Sequence, residues 1–551
     1  MKMKEERTIN PVQTDRQHNK EYDILITDGI VYDGSGNPGS KADVAIKGDM
    51  VVKIGNLLKR SMAKTVIDAS GCVISPGFID PHSHTDIELL ANPKAESKIR
   101  QGVTTEIGGN CGFSLFPPSE TNKDYLKKKY DLELDWNDVS GFFAQLERRG
   151  MALNYGTLIG HSDLRGSVMG SVDRPPTNDE LERMNRLLQE HLNAGVFGMS
   201  SGLIYTPGCF AREEELISLC QRVAIYNGVY STHMRDEGDH ILEAVDEAIR
   251  IAEKSHVSLH ISHLKMAYPR NWPKVHAVLS KISEMEKKGL KILADRYPYI
   301  ATSTLLSVFI PPWAKRGTIE EYLKRLRDPR SYDKICEYVK KQEERIESWE
   351  KIRVSSVLKE KNKRFIGKTI HEAARGIEKE PSRFIVDLLC EEEDQVEMIN
   401  FSLNEDNFKQ IILHPLVVVA SDGWALAPYG MLGNGKPHPR SYGTFPRMLG
   451  KYVREEGIMT LGEAIQKMTS TTAQKFGLKW RGFLREGFYA DIVIFDPNTV
   501  NDRATWENPH QYPSGIHHVI VNGQIVIHEG KHTGALPGRI LKKEVPIQLV
   551  Q

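Results

Sequence analysis

Long apolar runs are missing from this chain. Nowhere in its 551 residues do about 18 consecutive apolar side chains occur, the length a membrane-spanning helix requires, so a membrane role is not expected. Surplus charge is missing as well. Lys and Arg total 73, Asp and Glu total 73, and the formal net charge is zero, which leaves no field to gather a polyanion and points to a small-molecule substrate rather than nucleic acid. Cysteine is sparse: the six residues Cys72, Cys111, Cys209, Cys220, Cys336 and Cys390 are scattered, which suits reduced thiols in a cytoplasm rather than a disulfide framework. The opening stretch MKMKEERTINPVQTDRQHNKEYD has no apolar core like that of a secretory signal, so residues 1–21 read as a mobile polar tail.

What is present is organised by period. From Tyr22 to about residue 74, short β-rich runs alternate with turn signals, and the same texture returns over residues 480–545; "ADVAI" at 42–46 is echoed by "ADIVI" at 490–494. Neither end has strands enough to close a core, so both are expected to join in one small β-sandwich domain. Between them, residues 75–479 alternate strand-like and helical patterns. Eight strands are expected: Val73–His84, Thr104–Cys111, Asn154–His161, Val196–Leu203, Val229–His233, Val257–His263, Ile292–Tyr297 and Leu416–Asp422. Strand then helix, repeated eight times, is the pattern of an α/β fold of the TIM (β/α)8 barrel type. One interval, about 311–414, is too long and too rich in Lys, Arg and Glu; it reads as a helical insertion whose charge is a solvated face, with a lid over the barrel mouth as the alternative.

Potential metal ligands collect where barrel active sites form, at strand C-termini. In "GFIDPHSHTD", His82 and His84 stand at i and i+2 and would share one face of a strand. Cys111 follows "TTEIGGN", His233 ends "GVYSTH", His263 ends "VSLHISH", and Asp422 ends "LVVVASDG". Singly each has a dull reading as a core or turn residue; together, four histidines, a cysteine and an aspartate match the preferences of zinc. His161 is a candidate for hydrogen-bonding substrate or a ligand, with a structural role as the alternative. His260 alternates to the opposite strand face from His263 and reads as structural, and Arg235, Asp236 and Glu237 read as a loop ion network.

The motifs PGFIDPHSHTD, RQGVTTEIGGNCG, STHMRDEGD, ISHLK, ADRYPY, ASDGW and GKPHPRSYGTFPR closely resemble those of the N-acyl-D-amino acid deacylases, the D-aminoacylases of the metal-dependent amidohydrolase superfamily. The resemblance runs from about Tyr22 to Arg539. It implies a distorted barrel with a small β-domain, and zinc-dependent hydrolysis of an N-acyl-D-amino acid to a carboxylate and a free D-amino acid. It further implies one tight zinc on Cys111, His233 and His263, and a weaker second site on His82 and His84 that shares Cys111 as bridge.

Zinc with three protein ligands keeps a position open for water and brings its pKa toward neutrality, and Asp422 can move the proton to the leaving nitrogen. Lys265, Tyr297 and Arg440 are the expected holders of the substrate carboxylate. The stretch 297–314 contains no Lys or Arg; in the resembling family, members acting on acidic substrates carry an arginine there, and Ser303 stands near that place, which implies neutral, apolar side chains. The rival readings are a cyclic amidohydrolase of the hydantoinase or dihydropyrimidinase kind, a deacylase of acidic N-acyl-D-amino acids, and a non-catalytic metal-binding scaffold.

Overall fold

The computed structural model describes residues 21–56, 63–118 and 129–546, with residues 123, 126 and 127 between them. The expected tail falls almost wholly outside the described residues. The chain opens with five strands: β1 (Tyr22–Val31), β2 (Ser40–Lys47), β3 (Met50–Gly55), β4 (Ala63–Asp68) and β5 (Val73–Pro76). β2 and β3 join through a two-residue turn at Gly48-Asp49, with Gly48 at φ +60°. β1 pairs antiparallel with β2 and parallel with β4 and β5 along successive halves of its length.

At Gly77 the chain passes from one sheet to the next. A side chain there would place its Cβ 2.1 Å from Thr104 Oγ1, so only glycine fits. The strand expected from Val73 to His84 is therefore two strands in two sheets. β6 (Phe78–Asp80), β7 (Val103–Gly108) and β8 (Asn154–Thr157) form a parallel three-stranded sheet. After the single residue Leu158, β9 (Ile159–Gly160), β10 (Gly198–Gly202), β11 (Val229–His233), β12 (Ser258–Ile261) and β13 (Ile292–Arg296) continue in parallel order. Amphipathic helices connect them. In Ile241–Ser255, Ile241, Ala244, Val245, Ala248, Ile249 and Ala252 are buried at helical spacing.

The chain then leaves this layer. β14 (Thr302–Leu305), β15 (Ile352–Ser356) and β16 (Glu397–Asn400) make an antiparallel sheet ordered β14-β16-β15. The interval expected to be helical thus contains strands, and it has its own core of Phe309, Ile335, Val339, Trp349, Val354, Phe384 and Leu388. The last helix of that interval, Glu405–Leu413, instead packs Phe408, Ile411 and Ile412 into the main core. β17 (Val417–Val419) returns to pair in parallel with β13. Beyond it, Asp422 N donates to His82 O at 2.8 Å and His84 N to Gly423 O at 3.0 Å, joining the end of the last parallel strand to that of the first.

β18 (Ile492–Phe495), β19 (Ile516–Val521), β20 (Gln524–His528) and β21 (Lys531–His532) complete the first sheet, which has nine strands because β18 pairs with β5. The two ends of the chain do share one sheet. The final segment does not stay in it: Tyr155 N donates to Arg539 O and Leu541 N to Tyr155 O, so residues 537–541 run beside β8.

A buried polar cluster fastens the nine-stranded sheet to β8. Asp491 accepts from Asn522 N (2.8 Å), Asn154 Nδ2 (3.2 Å) and the Arg481 guanidinium, while Arg481 also reaches Asn522 Oδ1 at 2.8 Å. Asp491→Ala would leave a buried guanidinium unpaired, and is expected to destabilise the fold by about 3–5 kcal/mol. The urea midpoint measures this; a change under about 1 kcal/mol would mean the junction carries little.

Candidate metal centre and active site

Three of the candidate residues follow directly on strand ends in an unusual backbone state. Cys111, His263 and Asp422 have φ of 53°, 36° and 50°, a region costly for residues other than glycine and kept only where the surroundings fix it. His233 ends β11 itself. His82 and His84 lie beyond β6, not along it, so strand alternation is not what makes them converge. The backbone bonds to Gly423 and Asp422 do that, and the two rings stand 5.4 Å apart.

Cys111 Sγ is the common neighbour, 3.3 Å from His82 Nε2, 3.8 Å from His233 Nδ1 and 3.6 Å from His263 Nε2. Burial alone would raise its thiol, but His82, His233 and His263 hold it well below the ordinary value, which favours the thiolate a metal ligand requires. Two overlapping groups result: Cys111, His233 and His263, and Cys111 with His82, His84 and Asp422, each with ligand atoms within 4.8 Å of one another.

Asp422 Oδ1 lies 3.0 Å from His84 Nε2 and 3.3 Å from His82 Nε2, and Oδ2 lies 2.7 Å from Arg440 Nη1. Burial pushes its carboxyl up, yet Arg440, His82 and His263 outweigh that and keep it well below the usual range. Arg440 therefore pairs with Asp422 rather than standing free. Its Nη2 donates to Ser303 O at 3.4 Å, and its Nε has no hydrogen-bond partner among the described residues, so that donor remains for another partner.

Two carboxylates support the histidines: Asp295, which the sequence does not single out, and Glu237, which reads there as part of a loop ion network. Asp295 Oδ2 meets His82 Nδ1 at 3.1 Å and His260 Nε2 at 2.8 Å, while Oδ1 accepts from His263 N at 2.8 Å. Placing the His82 proton on Nδ1 leaves Nε2 free to act as a ligand. Glu237 does the same for His263, with Oε1 2.9 Å from Nδ1, and its Oε2 is 3.6 Å from His233 Nε2. Lys265 Nζ is 2.7 Å from the same His263 nitrogen and closer still to Glu237. With Nδ1 donating to Glu237, the ammonium must also donate to that carboxylate. β12 has ended before His263, so Lys265 is placed by a loop and not by a continuing strand. The "HMRDEGD" loop is more than an ion network.

These groups open onto a cavity of about 410 Å³. Phe113, Leu115, Ile204, Leu305, Val308, Phe309 and Met398 give it apolar walls, and Lys265, Tyr297, Ser303 and Arg440 also line it. Tyr297 Oη and Ser303 Oγ are buried without a partner among the described residues. His161 is not among the lining residues. It starts the helix His161–Met169, fully buried, with Nε2 2.9 Å from Glu215, which also binds Arg165; this is the structural alternative. Arg345 does line the cavity, arriving from the helix Pro329–Ile346, far in sequence from the cation-free stretch 297–314. Asp236 holds it at 3.0 Å.

Glu237→Gln keeps the side chain's shape and removes its charge. Zinc affinity at Cys111, His233 and His263 is expected to fall about 10- to 100-fold, measured by competition with a chromophoric chelator. An unchanged affinity would remove Glu237 from the support of the site.

Residues 65–331 and 392–527 match the amidohydrolase family, leaving out the segment that carries Arg345. D-aminoacylase of Alcaligenes xylosoxydans xylosoxydans is 35% identical over 95% of this chain and 98% of its own. The N-acyl-D-glutamate deacylase of the same organism is 33% identical over 96% and 98%. Among solved structures, N-acyl-D-glutamate deacylase from Bordetella bronchiseptica, complexed with zinc and a phosphonate mimic of the tetrahedral intermediate, superposes with a TM-score of 0.80 at 32% identity, covering 95% of this chain and all of that one. The chain therefore belongs to the amidohydrolase family, within the group formed by D-aminoacylase and the related N-acyl-D-amino acid deacylases.

Proposed function

We propose that this chain hydrolyses the amide bond of N-acyl-D-amino acids with neutral, apolar side chains, with zinc as its metal. One observation carries the reading: the Cys111 sulfur and the His233 and His263 imidazoles converge near the Asp422 carboxylate, in a cavity with apolar walls and a cationic corner. The donor set fits the metal. Tetrahedral zinc with sulfur at about 2.3 Å and nitrogen at about 2.05 Å sets those two atoms about 3.6 Å apart. Cys111 Sγ lies 3.6 Å from His263 Nε2 and 3.8 Å from His233 Nδ1. Cys111, His233 and His263 would hold the tight ion, and His82 and His84, sharing Cys111, a weaker one.

When bound, zinc supplies a water that ionises near neutral pH and a Lewis acid for the amide carbonyl. Asp422, kept ionised by Arg440, accepts the proton and delivers it to the leaving nitrogen, since an amine departs poorly unless protonated. Tyr297 Oη, Ser303 Oγ and Arg440 Nε, which have no hydrogen-bond partner among the described residues, receive the substrate carboxylate. Lys265, tied to Glu237, adds charge to that corner. Leu305, Val308 and Phe309 receive the side chain. The charge of Arg345 is already met by Asp236, so a second substrate carboxylate would have to displace an existing ion pair.

The framework proposed for this chemistry is a distorted barrel. The order β6-β7-β8 followed by β9-β10-β11-β12-β13-β17, and the bonds between His82–His84 and Asp422–Gly423, support closure of the two parallel sheets into one ring. Residues 22–74 and 480–532 would form the small β domain, and the segment near 302–404 the insertion. Among the described residues no helix is long and apolar enough to cross a membrane. The six cysteines, all free, suit the cytoplasmic setting proposed for the protein.

Asp422→Asn is expected to retain the tight zinc, measured by elemental analysis, and to lose kcat by about a hundredfold or more; kcat within a few fold of wild type would assign proton transfer to another group. In a substrate panel, kcat/KM should be highest for N-acetyl-D-leucine, lower for N-acetyl-D-glutamate and lowest for N-acetyl-L-leucine. The glutamate derivative winning would make Arg345 a recognition residue, and the L-enantiomer winning would overturn the functional reading.

A further inference from the structure

A second cluster of buried charge lies beside the site, and the chemistry above does not use it. Lys98, on the short helix Glu96–Ile99, is completely buried. Its ammonium has three hydrogens and meets three partners: Asp80 Oδ2 at 2.8 Å, Glu106 at 2.8 Å and Ser421 Oγ at 2.6 Å. Burial would lower its pKa, but Asp80 and Glu106 more than reverse this, and it stays charged.

Ser421 is the node through which this cluster reaches the site. Its hydroxyl accepts from Lys98 and from Gly423 N (3.0 Å) and donates to Asp80 Oδ2 (2.5 Å), while Ser421 N donates to Asp80 Oδ1 (3.0 Å). The residues on either side of Asp422 are thus tied to one oxygen. Asp422 N is tied to His82 O, and His82 N lies 3.3 Å from Asp80 Oδ1. Asp422 itself sits at φ 50°, a conformation that relaxes unless its neighbours are fixed. From there its carboxylate reaches His82, His84 and Arg440 together.

We infer that Lys98 and Ser421, acting through Asp80, are positioning residues that hold Asp422 in its left-handed conformation and lock the Asp422 loop to the His82–His84 segment. This rests on the proposed role of Asp422. It predicts that removing one hydroxyl, with no change of charge and no contact with substrate, frees the carboxylate. The cluster does not touch Cys111, His233 or His263, so the tight metal group should be unaffected.

The test is Ser421→Ala, with Asn522→Ala as a control that weakens a buried polar cluster remote from the site. In the crystal structure of zinc-loaded Ser421→Ala, Asp422 is expected to leave the left-handed region and its carboxylate to move more than about 1 Å from His84. Such a displacement should lower kcat about tenfold or more, with KM changed less than about threefold and the tight zinc retained. In Asn522→Ala, the melting temperature should fall while kcat stays within about threefold. Asp422 unmoved in Ser421→Ala, or kcat falling in both variants in step with melting temperature, would overturn the inference. Wild-type enzyme inactive on every N-acyl-D-amino acid would instead sink the functional reading, and the position of Asp422 in the variant would still decide this one.

Discussion

The site depends on a single buried sulfur that three imidazoles approach within 3.8 Å. For Cys111 to stand there, its loop must turn back immediately after β7, and the sequence GGNCG supplies the means. Gly109 and Gly112 have φ of +68° and +83°, and a Cβ on Gly109 would fall 2.0 Å from Leu158 O. Ser200 on β10 closes the turn, accepting from Gly112 N and donating to Gly109 O. From the other side, Asp86 accepts from Gly109 N and from Tyr155 Oη. Neighbouring strands and the loop after His84 therefore fix the sulfur before any ligand arrives, which is the preorganisation a metal site needs.

Around that sulfur, charge is balanced group by group. Asp295 serves His82 and His260, Glu237 serves His263 and Lys265, and Arg440 serves Asp422. Each of these buried charges has a partner, because an unpaired one would cost several kcal/mol. The same pairing sets proton positions: imidazoles whose outer nitrogens donate to carboxylates turn their other nitrogens inward as ligands. The carboxylates thus serve stability and the proposed metal binding through the same contacts.

The candidate ligands are legible in the sequence mostly through the strands they follow. Apolar runs ending in Cys111, His233, His263 and Asp422 are strands β7, β11, β12 and β17 or follow directly on them. His82 and His84 converge for a reason periodicity does not contain, since β6 stops at Asp80 and contacts with Gly423 and Asp422 place the rings. His161 looked like the other strand-end histidines; only the fold reveals that it turns to Glu215. Asp295 and Lys98 carried no legible signal, and Glu237 read only as part of a loop ion network, because acidic and basic residues are common and their burial is a tertiary fact. The strands β15 and β16 were hidden for a similar reason: "IRVSS" and "EMIN" are short, and the charged text around them suggests helix.

That hidden sheet bears on how the enzyme selects its substrate. The residues proposed for chemistry come from the ends of the parallel strands, fixed by the main core. The residues proposed for selectivity, Leu305, Val308, Phe309, Arg345 and Met398, come from the segment with its own core. β14 joins the two, since Ser303 lines the cavity beside Arg440 while its backbone pairs with β16. A substitution in the second core, or a shift of the helix that carries Arg345, can reshape the cavity wall without moving Cys111, His233 or His263. The buried apolar residues of the two segments form separate clusters, so the free energy of such a change stays local. Substrate range can then vary on a fixed metal site, and the charge of Arg345, neutralised here by Asp236, is the feature through which that variation would reach acidic substrates.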